Sequence, residues 1–308
     1  MGYRFERDAS LQKELRRIAV AQIDAAVASI DDHGRDSGVV VHEVRKSCKK
    51  LRGLLRIVRT HFDGYTQENG AFRDAAAALS SLRDAAVLIE TYDALMNAND
   101  GAVGRSAFAP VRRRLTLRQK TLDRDTSSAD RKLGDVRDLL LAVRVRAGQW
   151  KLSDDGFPAV QDGLAKTYKR ARKAMKDAGR SHDATAFHEW RKLSKYHGYH
   201  ARLLEPVWPA AMQAHRRSAD RLNQLLGEHH DLAVLEETLR DNPDEFGHAV
   251  DLDALIDLIH ERQSMLAEHA FMFGAKLFAE PADRLARRWR RYWVEWQNTP
   301  AAIAANAA

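Results

Sequence analysis

Cysteine, proline and glycine are scarce in this sequence of 308 residues, and it contains no long apolar run. Cys48 is the only cysteine, so neither an intramolecular disulfide nor a zinc site built from several thiolates can form. Seven prolines and 17 glycines are too few for a chain made of many hairpins. No stretch reaches the roughly 18 apolar residues of a membrane-spanning helix, and the charged N-terminus lacks the apolar region of a signal peptide. We therefore expect a soluble, cytoplasmic protein with no membrane partner.

The chain also has fewer acidic than basic residues, and the deficit lies in its first half. Lys and Arg number 50 against 43 Asp and Glu, which gives a net charge of +7. Residues 1–150 hold 27 basic and 20 acidic residues, whereas residues 151–308 hold 23 of each. Both halves nevertheless contain a dense basic window, with seven cations against one acid over 42–59 and ten against three over 166–195. Such clustering produces the local positive potential that attracts a polyanion.

Apolar residues recur at three- and four-residue steps along nearly the whole chain, which is typical of amphipathic helices. No segment shows the alternating pattern of a strand, so the sequence predicts an all-α protein. Turn residues interrupt the helical pattern at 32–34, 97–104, 153–158 and 242–243. The predicted helices cover about residues 11–30, 39–62, 68–97, 104–124, 128–149, 157–178, 183–205, 209–240, 248–278 and 281–297. The alanine-rich tail, 301–308, is expected to be frayed.

Two segments of the sequence recur at almost the same offset. Residues 41–49 (VHEVRKSCK) align with 187–195 (FHEWRKLSK) at an offset of 146. Residues 82–88 (LRDAAVL) align with 229–235 (HHDLAVL) at an offset of 147. Two ordered matches at nearly one offset are not expected by chance in a chain of this size. They predict two similar helical halves, residues 1–150 and 151–300.

The first repeated segment gathers its cations on one face of a helix. At 100° per residue, they form a stripe about 120° wide and about 21 Å long. The opposite face carries Val44, Cys48 and Leu51, so Cys48 is expected to be a buried apolar residue. The stripe of the first copy consists of His42, Arg45, Lys46, Lys49, Arg52 and Arg56, and that of the second copy of His188, Arg191, Lys192, Lys195, Tyr199 and Arg202.

No acidic residue interleaves with the cations of either stripe, so we expect these side chains to repel one another. A bound anion would relieve that repulsion. Because each stripe is long, an extended polyanion fits it better than a single phosphate does.

The sequence contains no recognised catalytic or metal-binding motif. It has no Walker loop, no GxGxxG, no nucleophile elbow and no paired carboxylates in an apolar setting. Neither the run His229-His230-Asp231 nor the pair His197/His200 has a recognised metal-ligand spacing. His197 falls on the core face of its helix and is expected to be buried. We expect no metal ion, no cofactor and no enzymatic activity.

These segments resemble the CHAD family, the histidine-bearing α-helical domains. The resemblance covers about residues 5–297 and is carried by VHEVRKSCKKLRGLLRI at 41–57, FHEWRKLSKYHGYHARLLE at 187–205 and LLGEHHDLAVL at 225–235. It implies two pseudo-symmetric four-helix bundles that share a central basic groove or pore. It also implies binding of inorganic polyphosphate and association with polyphosphate granules. The ExExK motif of the triphosphate-tunnel domain that often precedes such domains is absent, so a stand-alone CHAD protein is expected.

The resemblance also implies which side chains bind polyphosphate. They are His42, Arg45, Lys46, Lys49, Arg56, His188, Arg191, Lys192, Lys195 and Arg202. Arg52 and Tyr199 join them because of their angular position on the stripes. Weaker candidates on neighbouring helices are Arg83, Arg112, Arg113, Tyr168, Arg172 and His230.

Three alternatives to a non-enzymatic polyphosphate-binding protein stay open. A single-stranded nucleic-acid binder usually interleaves aromatic residues with its cations, and only Tyr199 does so here, which disfavours nucleic acid. An enzyme acting on polyphosphate needs metal-binding carboxylates near the stripes, and Glu43 and Glu189 are the nearest. The third alternative is a helical scaffold for a protein partner. The sequence does not decide whether the chain forms a homo-oligomer.

Overall fold

The computed structural model describes residues 2–99, 107–124, 126–246 and 252–299, and the side chains of 81–84, 122–124 and 126 lie outside this description. Within these residues the chain forms eleven α-helices, two short 3-10 helices and no strand, so the predicted all-α fold is confirmed. None of the described helices combines the length and apolar character needed to cross a bilayer. The α-helices are α1 (Leu11–Asp31), α2 (Ser37–Ile57), α3 (Tyr65–Ala78), α4 (Ser81–Ala98), α5 (Ala109–Arg124), α6 (Thr126–Ala147), α7 (Pro158–Ser181), α8 (Ala184–Leu203), α9 (Pro209–Asp241), α10 (Leu252–Leu277) and α11 (Ala282–Asn298).

The two helices that carry the repeated basic segment begin in the same way. The side chain of Asp36 accepts a hydrogen bond from the N–H of Val39 at the start of α2, at 3.1 Å. Asp183 does the same for Ala186 at the start of α8, at 2.7 Å. A carboxylate at this position satisfies an N–H group that has no partner within the helix. Both basic helices are therefore fixed at their N-terminal ends by a local aspartate.

One predicted helix, residues 68–97, is two helices in the structure. Helix α3 ends at Ala78, and α4 begins at Ser81. Between them, the backbone N–H and the hydroxyl of Ser80 both donate to the carbonyl of Ala77, at 3.0 and 2.9 Å. Serine competes in this way with the regular helical pattern. The sequence pattern does not show this break, because Leu79 is completely buried and continues the apolar period.

One continuous apolar core joins the two predicted halves. Helix α2 packs against α1 and α3 and also against α7 and α8 of the second half, while α4 packs against α9 and α10. Cys48 is buried in this core, as the sequence predicted, and burial raises the pKa of its thiol to about 12. The packing holds α2 and α8 against each other at the centre of the molecule.

Helices α2 and α8 meet at Gly53 and Tyr199. A side chain at position 53 would place its Cβ 2.9 Å from Cδ2 of Tyr199, so only glycine leaves room for this contact. Nε2 of the buried His200 lies 3.1 Å from the carbonyl oxygen of Gly53. Positions 53 and 199 differ by 146, which is the offset of the repeat. The contact between equivalent positions is compatible with a twofold arrangement, but two pseudo-symmetric bundles and a boundary near residue 150 stay predictions.

Candidate functional site

Helices α2 and α8 form the walls of a groove that encloses about 420 Å³. Its floor comes from α4 and α9. The lining residues are His42, Arg45, Lys46 and Lys49 from α2, Val87 and Leu88 from α4, Arg191, Lys195 and Tyr199 from α8, and His230, Asp231 and Val234 from α9. The groove therefore brings together cations from both copies of the repeated segment.

The second repeated segment supplies the floor of this groove. Val87 in α4 and Val234 in α9 occupy equivalent positions at the offset of 147, and both line it. Asp231, which the sequence does not indicate as a residue of the polyphosphate site, also lines the groove. The signal that could have found these residues is the repeat itself, because a segment that recurs together with the basic helix is expected to pack beside it.

Local contacts hold the arginines of the walls in place. Nη1 of Arg45 donates to the carbonyl oxygen of Ala76 near the C-terminal end of α3, at 2.7 Å. Carbonyl groups at a helix C-terminus lack intrahelical partners and carry partial negative charge, so they favour a guanidinium. On the other wall, Arg191 lies beside α9, where an added Cβ at Gly227 would be 3.8 Å from its Nε, an ordinary van der Waals distance.

The expectation that no acid relieves the cations is wrong at two equivalent positions. Glu43 pairs with Lys46 at 3.3 Å, and Glu189 pairs with Lys192 one turn along α8. Glu189 also lies 3.5 Å from Arg170 of α7. The helical angles placed both glutamates outside the stripes, but long side chains at i and i+3 reach each other. These pairs are exposed to solvent, so each contributes little to stability.

A histidine pair lies at one wall of the groove. The Nδ1 atoms of His188 in α8 and His230 in α9 are 3.4 Å apart. Burial, followed by the positive charges of Arg191 and Lys192, lowers the pKa of His188. Burial, followed by the charge of Arg191, lowers the pKa of His230 to about 4. Both rings are therefore neutral at pH 7 in the ligand-free protein.

Five residues of the predicted stripes do not line the groove, namely Arg52, Arg56, His188, Lys192 and Arg202. Arg52 and Arg56 lie beyond it toward the C-terminal end of α2, where Cζ of Arg56 is 4.2 Å from the centre of the Tyr196 ring. Arg202 is exposed beside Lys50, whose pKa is lowered by burial and then by the charge of Arg202. The stripes are continuous on each helix, but one groove does not include every member.

Among the weaker candidates whose side chains the structure describes, only His230 lines the groove. The prediction that Tyr168 binds the ligand is corrected, because its side chain is completely buried. Its hydroxyl donates to the carbonyls of Leu277 and Glu280, both at 3.1 Å. Arg112 is paired with Asp93 at 2.7 Å on the surface formed by α4 and α5. Arg113 is exposed on α5, Arg172 lies on α7 beside Tyr168, and the side chain of Arg83 falls outside the described residues.

The remaining histidines of α8 belong to the core. His197 is completely buried, as the sequence predicted, and its Nε2 lies 2.8 Å from Nε2 of His215. Its ring is also 5.8 Å from that of Trp289 and nearly parallel to it. No group of three or more potential metal ligands comes together in the described part of the chain.

The basic groove, its duplicated helices and the histidines that open both stripes have the features of one protein family. The family model described as CHAD domain matches residues 11–240, which is more than half of the chain. The chain belongs to the CHAD family. Among solved structures, this CHAD protein is similar to PptA from Streptomyces chartreusis, with a TM-score of 0.58 and 16% identity over 87% of this chain and 99% of that one. At this identity the similarity supports the fold alone. A search of curated protein sequences finds no significant match.

Proposed function

We propose that this CHAD protein binds inorganic polyphosphate in the groove between α2 and α8 and does not catalyse a reaction on it. The observation that carries the proposal is the convergence of two copies of one basic segment on a single groove. Arg45, Lys46 and Lys49 come from the first copy, and Arg191 and Lys195 come from the second. The association of the family with polyphosphate supports the choice of ligand.

The chemistry of the groove suits a chain of phosphates. Guanidinium and ammonium groups form charge-assisted hydrogen bonds to phosphate oxygens, and guanidinium binds two oxygens at once. Five cationic side chains line one groove, so several phosphoryl groups can be bound together. A repeating anion without bases needs no stacking surface, and Tyr199 is the only Phe, Trp or Tyr among the lining residues. This composition favours polyphosphate over single-stranded nucleic acid.

The absence of catalysis is part of the proposal. Glu43 and Glu189, the carboxylates closest to the stripes in sequence, are engaged by Lys46 and Lys192. Incubation of long-chain polyphosphate with the protein and Mg²⁺ or Mn²⁺, followed by gel analysis of chain length, tests it. Chain shortening that a groove variant abolishes would contradict the proposal.

Residence in the cytoplasm on polyphosphate granules is a further part of the proposal, and imaging of a fluorescent fusion in cells that accumulate polyphosphate tests it.

The binding test compares two variants with the same change in net charge. The groove variant combines Arg45→Glu, Lys49→Glu, Arg191→Glu and Lys195→Glu. The control combines Arg284→Glu, Arg287→Glu, Arg290→Glu and Arg291→Glu, which are exposed on α11. We expect the groove variant to bind long-chain polyphosphate at least about 100-fold more weakly than wild type, because lost charge-assisted bonds cost more than about 1 kcal/mol each. The control should lose less than about threefold, since surface charges away from a ligand act weakly.

Competition and salt dependence distinguish the ligands. Five phosphate contacts predict that the logarithm of affinity falls with the logarithm of salt with a slope of about −3 to −4, as for single-stranded nucleic acids. Equal affinity of wild type and groove variant, each shown to be folded by circular dichroism, would contradict the site. An oligonucleotide that outcompetes polyphosphate of the same charge at equal salt would replace polyphosphate with nucleic acid.

A further inference from the structure

Beyond the groove, three arginines lie close to one another at the C-terminal end of α2, and two of them contact the ring of Tyr196. Cζ of Arg56 lies 4.2 Å from the centre of the Tyr196 ring, and Cζ of Arg52 lies 5.8 Å from it. Arg59 follows Arg56 by three residues and is also half-buried. We call Arg52, Arg56 and Arg59 the arginine cluster. It lies between α2, α3, α7 and α8 rather than over α4 and α9.

The arginine cluster lacks an acidic partner. In the part of the chain that the structure describes, no carboxylate lies within 4.0 Å of its three guanidinium groups, and the only side-chain hydrogen bond from Arg52 goes to the neutral amide of Asn69, at 3.3 Å. Nε of Arg56 and the Nε and Nη2 atoms of Arg59 are buried without a hydrogen-bond partner, while the Arg59 side chain makes one hydrogen bond, to Tyr65. Buried arginine nitrogens without partners are costly, so this arrangement is stabilised when an anion approaches.

Neighbouring charges increase the electrostatic strain. Arg170 of α7 and Arg73 of α3 act on the cluster as further positive charges, and each is already paired, with Glu189 and Asp74 respectively. Burial, and the charge of Arg56 next, lower the pKa of both Arg52 and Arg59. The direction of these shifts means that the surroundings disfavour the positive charge in the absence of a counter-ion.

The second copy of the repeat does not contain this cluster. At the offset of 146, the positions of Arg52 and Arg59 become Gly198 and Glu205. Glu205 carries the opposite charge and pairs with Arg216 at 2.6 Å. Only Arg56 has a basic equivalent, Arg202. The cluster is therefore an addition to one end of the repeated stripe and not a consequence of the duplication.

We propose that Arg52, Arg56 and Arg59 form an additional phosphoryl-binding subsite that extends the polyphosphate groove at one end only. This inference rests on the proposed function. Lys49 in the groove precedes the end of α2 at Ile57 by eight residues, or about 12 Å, and Arg59 follows that end by two residues. A long chain that fills the groove reaches this subsite in one direction, whereas the opposite direction offers Glu205 in place of an arginine. The protein would thus hold polyphosphate asymmetrically, and its affinity for long chains would depend on the cluster.

The test replaces two arginines and keeps the contact between Arg56 and the ring of Tyr196. The cluster variant is Arg52→Gln/Arg59→Gln, and the charge-matched control is Arg287→Gln/Arg290→Gln on α11. We expect the cluster variant to bind long-chain polyphosphate about tenfold more weakly than wild type, since two charged hydrogen-bonding groups are lost. The slope of affinity with salt should decrease in magnitude by about 1.4, which is about 0.7 for each lost phosphate contact. The control should keep the affinity and slope of wild type.

The outcomes separate this inference from the function on which it rests. Wild type that fails to bind polyphosphate contradicts the proposed function. Wild type that binds, together with a cluster variant indistinguishable from the control, overturns the subsite and leaves the groove intact. A similar loss in both variants also overturns the subsite, because it reports net charge alone. If circular dichroism shows that the double variant is unfolded, Arg52→Gln and Arg59→Gln are tested singly, with a loss of about threefold expected for each.

Discussion

Helices α2 and α8 carry copies of one segment, and they differ outside the groove more than inside it. The positions nearer the N-terminal ends keep the same residues, and two of these pairs line the groove from both helices, whereas the positions nearer the C-terminal ends diverge. The conserved pairs are His42/His188, Arg45/Arg191, Lys46/Lys192 and Lys49/Lys195, and the diverged pairs are Lys50/Tyr196, Arg52/Gly198, Gly53/Tyr199 and Arg59/Glu205. The difference indicates that the shared groove requires both copies, while each flank has acquired its own contacts.

The last turns of the two helices show how the flanks diverged. Ile57 in α2 and Leu203 in α8 are equivalent at the offset of 146. The carbonyl of Leu203 accepts a hydrogen bond from the N–H of Phe5, at 3.0 Å. The carbonyl of Ile57 instead packs against Gly163 of α7, where an added Cβ would lie 2.0 Å from the oxygen. One end is therefore closed by the N-terminal segment and the other by direct contact of two helix backbones.

The largest expected effect comes from breaking that backbone contact. Gly163→Ala should lower the free energy of unfolding by about 3 kcal/mol or more, because a methyl group cannot fit against a backbone carbonyl without moving α2 from α7. Gly134→Ala in α6 is the control, since no atom lies within 4 Å of its added Cβ, and it should be neutral or stabilising by up to about 1 kcal/mol. Urea unfolding followed by circular dichroism measures both. Equal stability of the two variants would mean that α2 and α7 do not approach this closely.

The position of Gly163 illustrates what sequence patterns leave out. Helical periodicity identified α2 and α8 and the core position of Cys48, because each depends on the spacing of residues within one segment. The repeat placed both basic segments in equivalent contexts, and the groove joins Lys49 with Lys195. No local pattern shows which helices touch, so the contact at Gly163 could not be predicted.

The same distinction between patterns within one helix and contacts between helices applies to the residues of the candidate site. His42, Arg45, Arg191 and Lys195 were expected in the site and line the groove. Tyr168 was expected near it but is buried, because one aromatic residue on an amphipathic helix faces either way depending on tertiary packing. The ion pairs of Lys46 and Lys192 also depend on side-chain reach rather than helical angle. Pairing across helices, such as that of His188 with His230, needs the tertiary structure.

A smaller effect is expected from the histidine pair, which distinguishes the two walls of the groove. His230 faces Arg191 and His188 of α8 and Lys49 of α2, and its pKa is lowered to about 4 in the ligand-free protein. The position equivalent to His230 in the first copy is 83, an arginine, which does not titrate in this range. Bound phosphates favour the charged imidazole, so its pKa rises in the complex, and binding takes up a proton.

The sign of the pH dependence follows from this shift. Affinity for long-chain polyphosphate should increase as the pH falls from 6 to 4, by about fivefold for a rise of one pKa unit in the complex, since the ligand-free pKa is about 4 and the full factor of ten is reached only below it. Calorimetry in two buffers of different ionisation enthalpy should detect proton uptake. His230→Gln should reduce both effects, and His33→Gln, an exposed change outside the groove, should leave them unchanged. A variant at position 230 with the full pH dependence of wild type would exclude this histidine as the origin.

The smallest expected effect concerns the ion pairs that the two copies share. Glu43→Gln and Glu189→Gln release Lys46 and Lys192, and each should tighten polyphosphate binding by about twofold to threefold, because the lysine no longer loses an intramolecular partner on binding. Glu189→Gln should act more strongly, since Glu189 also faces Arg170. Unfolding free energies should change by less than about 0.5 kcal/mol for these exposed pairs. Asp283→Gln, which releases Arg287 on α11, is the control and should leave binding unchanged. Weaker binding in both glutamate variants would mean that the pairs orient the lysines toward the ligand rather than compete with it.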